Sequence, residues 1–223
     1  VSESQKDDYH KHNPEMELLI HPNSVVGFTA KIKWIHNEIP NVFLLDDDLN
    51  AMRRKWQERG DDISGDVEPQ KAYELVQTLA FSAKEAGCKI FGYGRHANPV
   101  TYKGQSPIGI KGFIIASSIG IFEGFPMHLI PDECVEAAEF YISGLNAFYY
   151  RKCFRDDRFA FTSKEHTFVS KGGMADHRSI ATEKKDMIML RQAFGDAFQI
   201  KLAPPAHVRA VQHKYERSLT LPF

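Results

Sequence analysis

Apolar positions follow two rhythms along this chain. Within residues 69–87, Ala72, Leu75, Val76, Leu79 and Ser82/Ala83 recur at three- and four-residue spacing. That period predicts an amphipathic helix, which Gly87 ends. The same period predicts a helix over 182–194, apolar at Met187, Leu190, Ala193 and Phe194 and stopped by Gly195. Another is predicted over 132–150, with Ala138, Ile142, Leu145 and Phe148/Tyr149 on one face. Ser24 is placed to N-cap a further helix from 25 to about 37. The second rhythm is short apolar runs bounded by turn residues, at 17–20, Val42–Leu45, 89–93, 112–122, 157–161 and 198–202. These predict strands. Residues 1–14 are polar and read as a loop or mobile start.

Strands alternating with helices give an α/β class, a Rossmann-like mixed sheet flanked by helices. A single domain is expected over 1–202, with 203–223 as a C-terminal tail. The 223 residues are 43% hydrophobic and 26% charged, which allows an ample core. The formal net charge is −1, so no global basic field points to nucleic acid. Cys88, Cys134 and Cys153 are scattered without a C-x-x-C, which fits a reducing compartment and no zinc site. No apolar run has the length of a membrane span and no signal peptide is visible, so a cytoplasmic protein without membrane partners is expected. The chain begins with Val, which reads as a processed product or an excerpt.

The chemistry concentrates after the run Val42-Phe43-Leu44-Leu45, where Asp46, Asp47 and Asp48 follow at once. The run predicts a fully buried strand, so the carboxylates fall at the sheet's edge, where open α/β sheets bind ligands. Adjacent carboxylates repel and are costly to desolvate without a cation. They suit a hard divalent ion, Mg²⁺ or Mn²⁺, held together with ligand phosphates. The other reading is an acidic turn opening a solvated helix over 49–59.

Four further groups add candidates. The acidic stretch Asp132, Glu133, Glu136 and Glu139 either suits a helix dipole or supplies a general base, and Glu139 lies a turn inside beside the apolar face. His166 or His177 is placed to complete a metal site with two Asp, near Arg158. In Lys171-Gly172-Gly173-Met174, followed by Arg178, the glycines allow close backbone approach and the cations suit phosphate oxygens. The long loop from Arg95 holds His96 and Tyr102, which with Tyr93 suit stacking and hydrogen bonding to an acceptor. P-loop, dinucleotide and nucleophile-elbow motifs are absent from the sequence.

The order of these pieces resembles the GT-A class of nucleotide-sugar glycosyltransferases. It runs from an apolar strand ending in Asp46-Asp47-Asp48 through GFIIASSIGIF, an acidic helix start at Glu139 and Asp157-Arg158-Phe159 to Gly172-Gly173. More narrowly, it is similar to the group associated with TET/JBP-type DNA base hydroxylases, over about residues 25–195. The resemblance implies a GT-A-like fold, a UDP-sugar donor, Mn²⁺ or Mg²⁺, and transfer to a hydroxymethylated pyrimidine in DNA. It implies that Asp46 and Asp48 meet the metal and diphosphate, His166 joins the metal, and Asp47 and Glu139 serve catalysis. Lys171, Gly172, Gly173 and Arg178 would contact the donor. The location it implies is a cytoplasm, phage-infected or not, or a nucleus if the source is eukaryotic. The chain departs from the pattern twice. The acidic motif reads Ala138-Glu139-Phe140-Tyr141, and the nucleotide-binding part before Asp46 is short. A GT-A-like binding module without catalysis, or a metal-dependent phosphoryl-transfer enzyme, stays open beside the transferase.

Overall fold

The computed structural model describes residues 1–56, 65–135, 137–163, 179–202 and 215–219. The helices are α1 (Lys6–His12), α2 (Phe28–Glu38), α3 (Pro69–Glu85), α4 (Ala138–Tyr149) and α5 (Ile180–Phe194). The strands are β1 (Val42–Leu45), β2 (Leu49–Arg54), β3 (Ile90–Tyr93), β4 (Ile108–Gly109), β5 (Ser118–Ile121), β6 (Phe154–Asp156), β7 (Phe159–Ser163), β8 (Phe198–Leu202) and β9 (Tyr215–Leu219).

A five-stranded mixed sheet in the order β1-β5-β3-β6-β4 forms the centre. β5 is antiparallel to both β1 and β3, β3 is parallel to β6, and β4 is antiparallel to β6. β1, β3 and β6 therefore run the same way, and their C-terminal ends lie along one edge. β2 and β7 form a separate antiparallel ribbon, and β8, at the end of the expected domain, pairs with β9, which falls in the segment expected as a tail.

The alternation of side chains across the sheet builds two cores. Val42, Leu44, Ile90, Ile119 and Ile121 pack with Ile32 of α2, Ile142 and Leu145 of α4, and Met187 and Leu190 of α5. Phe43, Phe91 and Tyr93 project to the other face, where they meet Leu79 and Ala83 of α3, Met52 of β2 and Phe159 of β7. Gly120 of β5 lies under the Phe91 ring, where a Cβ would come within 2.1 Å of its carbons. Only glycine lets that ring lie on the sheet.

Local chemistry explains the element ends. Pro69 opens α3, and the Glu68 side chain accepts from Lys71 N at 3.0 Å. α5 begins with a capping box. Ser179 Oγ accepts from Thr182 N at 3.0 Å, and Thr182 Oγ1 accepts from Ser179 N at 2.8 Å. Ser179→Ala is expected to cost about 1 kcal/mol of stability, read as a lower denaturant midpoint at an unchanged m-value.

Several expectations are corrected. β1 is a half-buried edge strand, and Leu45 is 52% exposed. Residues 49–54 form β2 and not a helix, because β7 offers them a ladder. α2 starts at Phe28 after Gly27, since a turn bonding Val25 N to Pro22 O holds the preceding residues and Ser24 makes no cap. The strand expected over 112–122 shrinks to Ser118–Ile121, with Ile114 N donating to Ser143 Oγ in place of a ladder. α4 begins at Ala138 and not near 132. α1 occupies the expected N-terminal loop, and 17–20 is not a strand. Residues 157–161 divide between the β6–β7 turn and β7.

Among the described residues no helix is long and apolar enough to cross a membrane.

Candidate functional site at the edge where the parallel strands end

The acidic triplet leaves β1 as a turn. Asp46 N donates to Ser117 O at 3.1 Å, which extends the β1–β5 ladder by one residue. Leu49 N reaches back to Asp46 O at 3.4 Å and closes the turn into β2. Asp46, Asp47 and Asp48 are all exposed. Edge placement was expected. The half-buried strand and the tight strand-to-strand turn were not.

Two more strand exits share this edge. β3 lies two places from β1 and β6 three, so their ends fall within ~10–15 Å of the triplet at a spacing of ~4.8 Å per strand. β3 runs out through Gly94 into Arg95 and His96, both exposed. β6 runs out into Asp156, Asp157 and Arg158. Arg155 grips Asp157 with two bonds, Nε to Oδ1 at 2.8 Å and Nη2 to Oδ2 at 2.9 Å. Arg158 grips the buried Asp156 in the same fork, at 2.9 and 2.8 Å. These bonds raise both guanidinium pKa values above the usual range. Arg158 thus serves the turn that joins β6 to β7.

Glu139 stands in the first turn of α4, the element between β5 and β6, where its charge acts on Cys134. α4 climbs the α2/α5 face and its first turn packs against the segment before β5. Phe140 and Phe113 lie 4.8 Å apart between ring centroids, and the Arg95 guanidinium sits 5.6 Å over the Phe113 ring. Glu139 is half-buried in that turn. What fixes the turn is Asp186 of α5, which is 0% exposed. Its carboxylate accepts from Ala137 N at 3.0 Å and from Val135 N at 3.1 Å. α4 has no N-cap side chain, and Asp186 pins the backbone just before the helix from another helix. The neighbouring Asp132 pairs instead with Lys33 of α2.

The ribbon β2–β7 arches over this end of the α3 face. Tyr93, expected to contact an acceptor, is fully buried in the core. Its ring lies among Phe43, Phe159 and Phe161, 5.7–6.4 Å away between centroids. Its hydroxyl finds no hydrogen-bond partner among the described residues. Burial, then the charge of Asp156, pushes its pKa up. Tyr102 lies near Trp56, at 6.2 Å between centroids, and packs into the ribbon.

Lys55, at the exit of β2, escaped attention in the sequence because it stands in the charged run after Arg53 and Arg54. It is only 4% exposed. Its backbone N donates to Arg158 O at 2.8 Å, and its side chain crosses Gly94. A Cβ on Gly94 would lie 2.9 Å from Phe159 O, 3.0 Å from Lys55 Nζ and 3.4 Å from Asp157 Oδ1. Glycine is what lets these groups close over the end of β3.

The remaining candidates, His166, Lys171, Gly172, Gly173, Arg178 and His177, lie outside the described residues. Among the described residues no three His, Cys, Asp or Glu side chains converge as a metal site. The triplet's own chemistry fits a different mode. Mg²⁺ and Mn²⁺ use one or two carboxylates, several waters and substrate phosphates, and three exposed carboxylates in one turn can supply that share. The thiols are poor nucleophiles. Cys134 and Cys153 are buried, which pushes their pKa up to about 12 and about 11.

Compared with known protein families, with curated proteins and with solved structures, the chain gave no match.

Proposed function

We propose that this chain is a metal-dependent glycosyltransferase of GT-A-like fold that moves a sugar from a UDP-sugar to a hydroxyl acceptor. The acceptor that the sequence resemblance implies is a hydroxymethylated pyrimidine in DNA. One observation supports the reading: the acidic triplet leaves β1 on the same sheet edge as the exits of β3 and β6.

The roles follow from that placement. Asp46 and Asp48 would hold Mn²⁺ or Mg²⁺, with Asp47 beside them. When bound, the ion neutralises the charge that builds on a departing diphosphate. Glu139 takes the proton from the acceptor hydroxyl as its oxygen bonds to the sugar C1 and the bond from C1 to the diphosphate oxygen breaks. UDP leaves with the electron pair of that bond. The Arg95 ring contact with Phe113 ties the exit of β3 to the start of α4.

Calorimetry tests the donor side directly. UDP is expected to bind in the presence of Mn²⁺, with the heat lost when EDTA removes the metal. No heat at about 1 mM UDP with Mn²⁺ would leave a GT-A-like binding module as the better account. Cleavage of phosphodiesters without any sugar nucleotide would point to phosphoryl transfer.

A further inference from the structure

The exit of β3 holds more positive charge than its surroundings neutralise. Lys55 is 4% exposed, yet its Nζ makes no hydrogen bond or ion pair to any described residue. The carboxylate that faces it is Asp157, and Arg155 already occupies both of that group's oxygens. Arg95 and His96 stand at the rim on the solvent side. Lys55 and Arg155 thus share one carboxylate, and the charges of Lys55 and Arg95 both reach His96. The residue is largely covered while its unbonded ammonium still reaches solvent, so an anion can approach from the open side and complete the niche.

We propose that this niche, over Gly94 at the end of β3, is a phosphate-binding subsite, with the Lys55 ammonium as its anchor and Arg95 and His96 as its rim. A phosphate offers several strong acceptor oxygens and up to two charges, which matches an ammonium, a guanidinium and an imidazole approaching from different sides. A divalent cation is repelled by the same charges. A neutral hydroxyl would leave the ammonium uncompensated. Burial, and secondarily the Arg155 charge, lowers the Lys55 pKa against the pull of Asp157, and a bound phosphate would raise it again. His96 is held below its ordinary pKa by partial burial, then by Arg95 and Lys55, and it too would gain a proton beside a phosphate.

The phosphate has two sources, the diphosphate of a nucleotide or the backbone of a nucleic acid. The subsite requires neither sugar transfer nor metal, so its test omits both and its outcome is separate from that of the transferase. The full chain is titrated by calorimetry with inorganic pyrophosphate, and separately with a short thymidine oligonucleotide, at constant ionic strength without divalent ions. Binding of pyrophosphate alone assigns the subsite to a nucleotide, and binding of the oligonucleotide alone assigns it to a nucleic-acid backbone. Lys55→Met is expected to weaken the binding about tenfold or more. His96→Gln, at an exposed position that folding does not depend on, is expected to weaken it about threefold. Binding of neither probe at about 10 mM overturns the proposal. So does a folded Lys55→Met, or His96→Gln, that binds as tightly as the parent.

Discussion

Asp48→Asn is expected to abolish metal-dependent turnover of a UDP-sugar while the protein stays folded. The substitution keeps the side chain's shape and removes its charge. Asp48 is exposed in the β1–β2 turn, whose closing bond runs between the backbones of Leu49 and Asp46. Asn is as much at home in such a turn as Asp. Unfolding temperature and far-UV circular dichroism should therefore match the parent. A divalent ion held by so few protein oxygens loses a large part of its site with one carboxylate, so turnover should fall about a hundredfold or more. Release of UDP from a donor, followed with and without Mn²⁺, reads this. Full activity in a folded Asp48→Asn removes the triplet from the mechanism. Glu139→Gln separates the proposed base from the proposed metal site, since it should slow turnover while leaving the Mn²⁺-dependent binding of UDP in place.

The largest loss of stability is expected from Asp186→Ala. The carboxylate is wholly buried and accepts from two backbone N–H groups at the start of α4, with the Cys134 thiol also within 3.9 Å. Alanine leaves both N–H groups in the interior with nothing to bond. Each such orphan costs about 1–3 kcal/mol, so a loss of about 3 kcal/mol is expected. In a chain of this size that lowers Tm by about 10 °C. Asp186→Asn keeps one carbonyl acceptor and should fall between the two. A Tm within about 2 °C of the parent in Asp186→Ala would show that water or the helix end takes over the cap. The consequence reaches function, because the same cap holds the turn that carries Glu139.

The elements with their own local code were legible in the sequence. α3 carries its apolar stripe, its Pro69 start and its Gly87 stop within one segment. α5 carries its apolar spacing and its Gly195 stop, while its Ser179 cap lies before the predicted start. β3 and β8 announce themselves by short apolar runs between turn residues. Elements that depend on a distant partner were not legible. Residues 49–54 have no strong strand signal, and they become β2 because β7, over a hundred residues later, bonds to them. The start of α4 is set by a carboxylate 49 residues downstream of Ala137. Tyr93 was expected at a strand end, available to an acceptor, but the ribbon encloses it.

The candidate site divides in the same way. Sequence alone determined that an acidic triplet follows an apolar run, and this places three carboxylates at a strand's end whatever the topology, because a strand hides its side chains only as far as its ladder extends. Only the tertiary structure decided which other ends share that edge. Strand direction is a property of the whole sheet, and the antiparallel β5 between β1 and β3 is what brings the exits of β1, β3 and β6 together. It also decided that Lys55, one charge among several in the sequence, is the one turned inward over Gly94. Burial depends on what folds over a residue, and no local pattern records that.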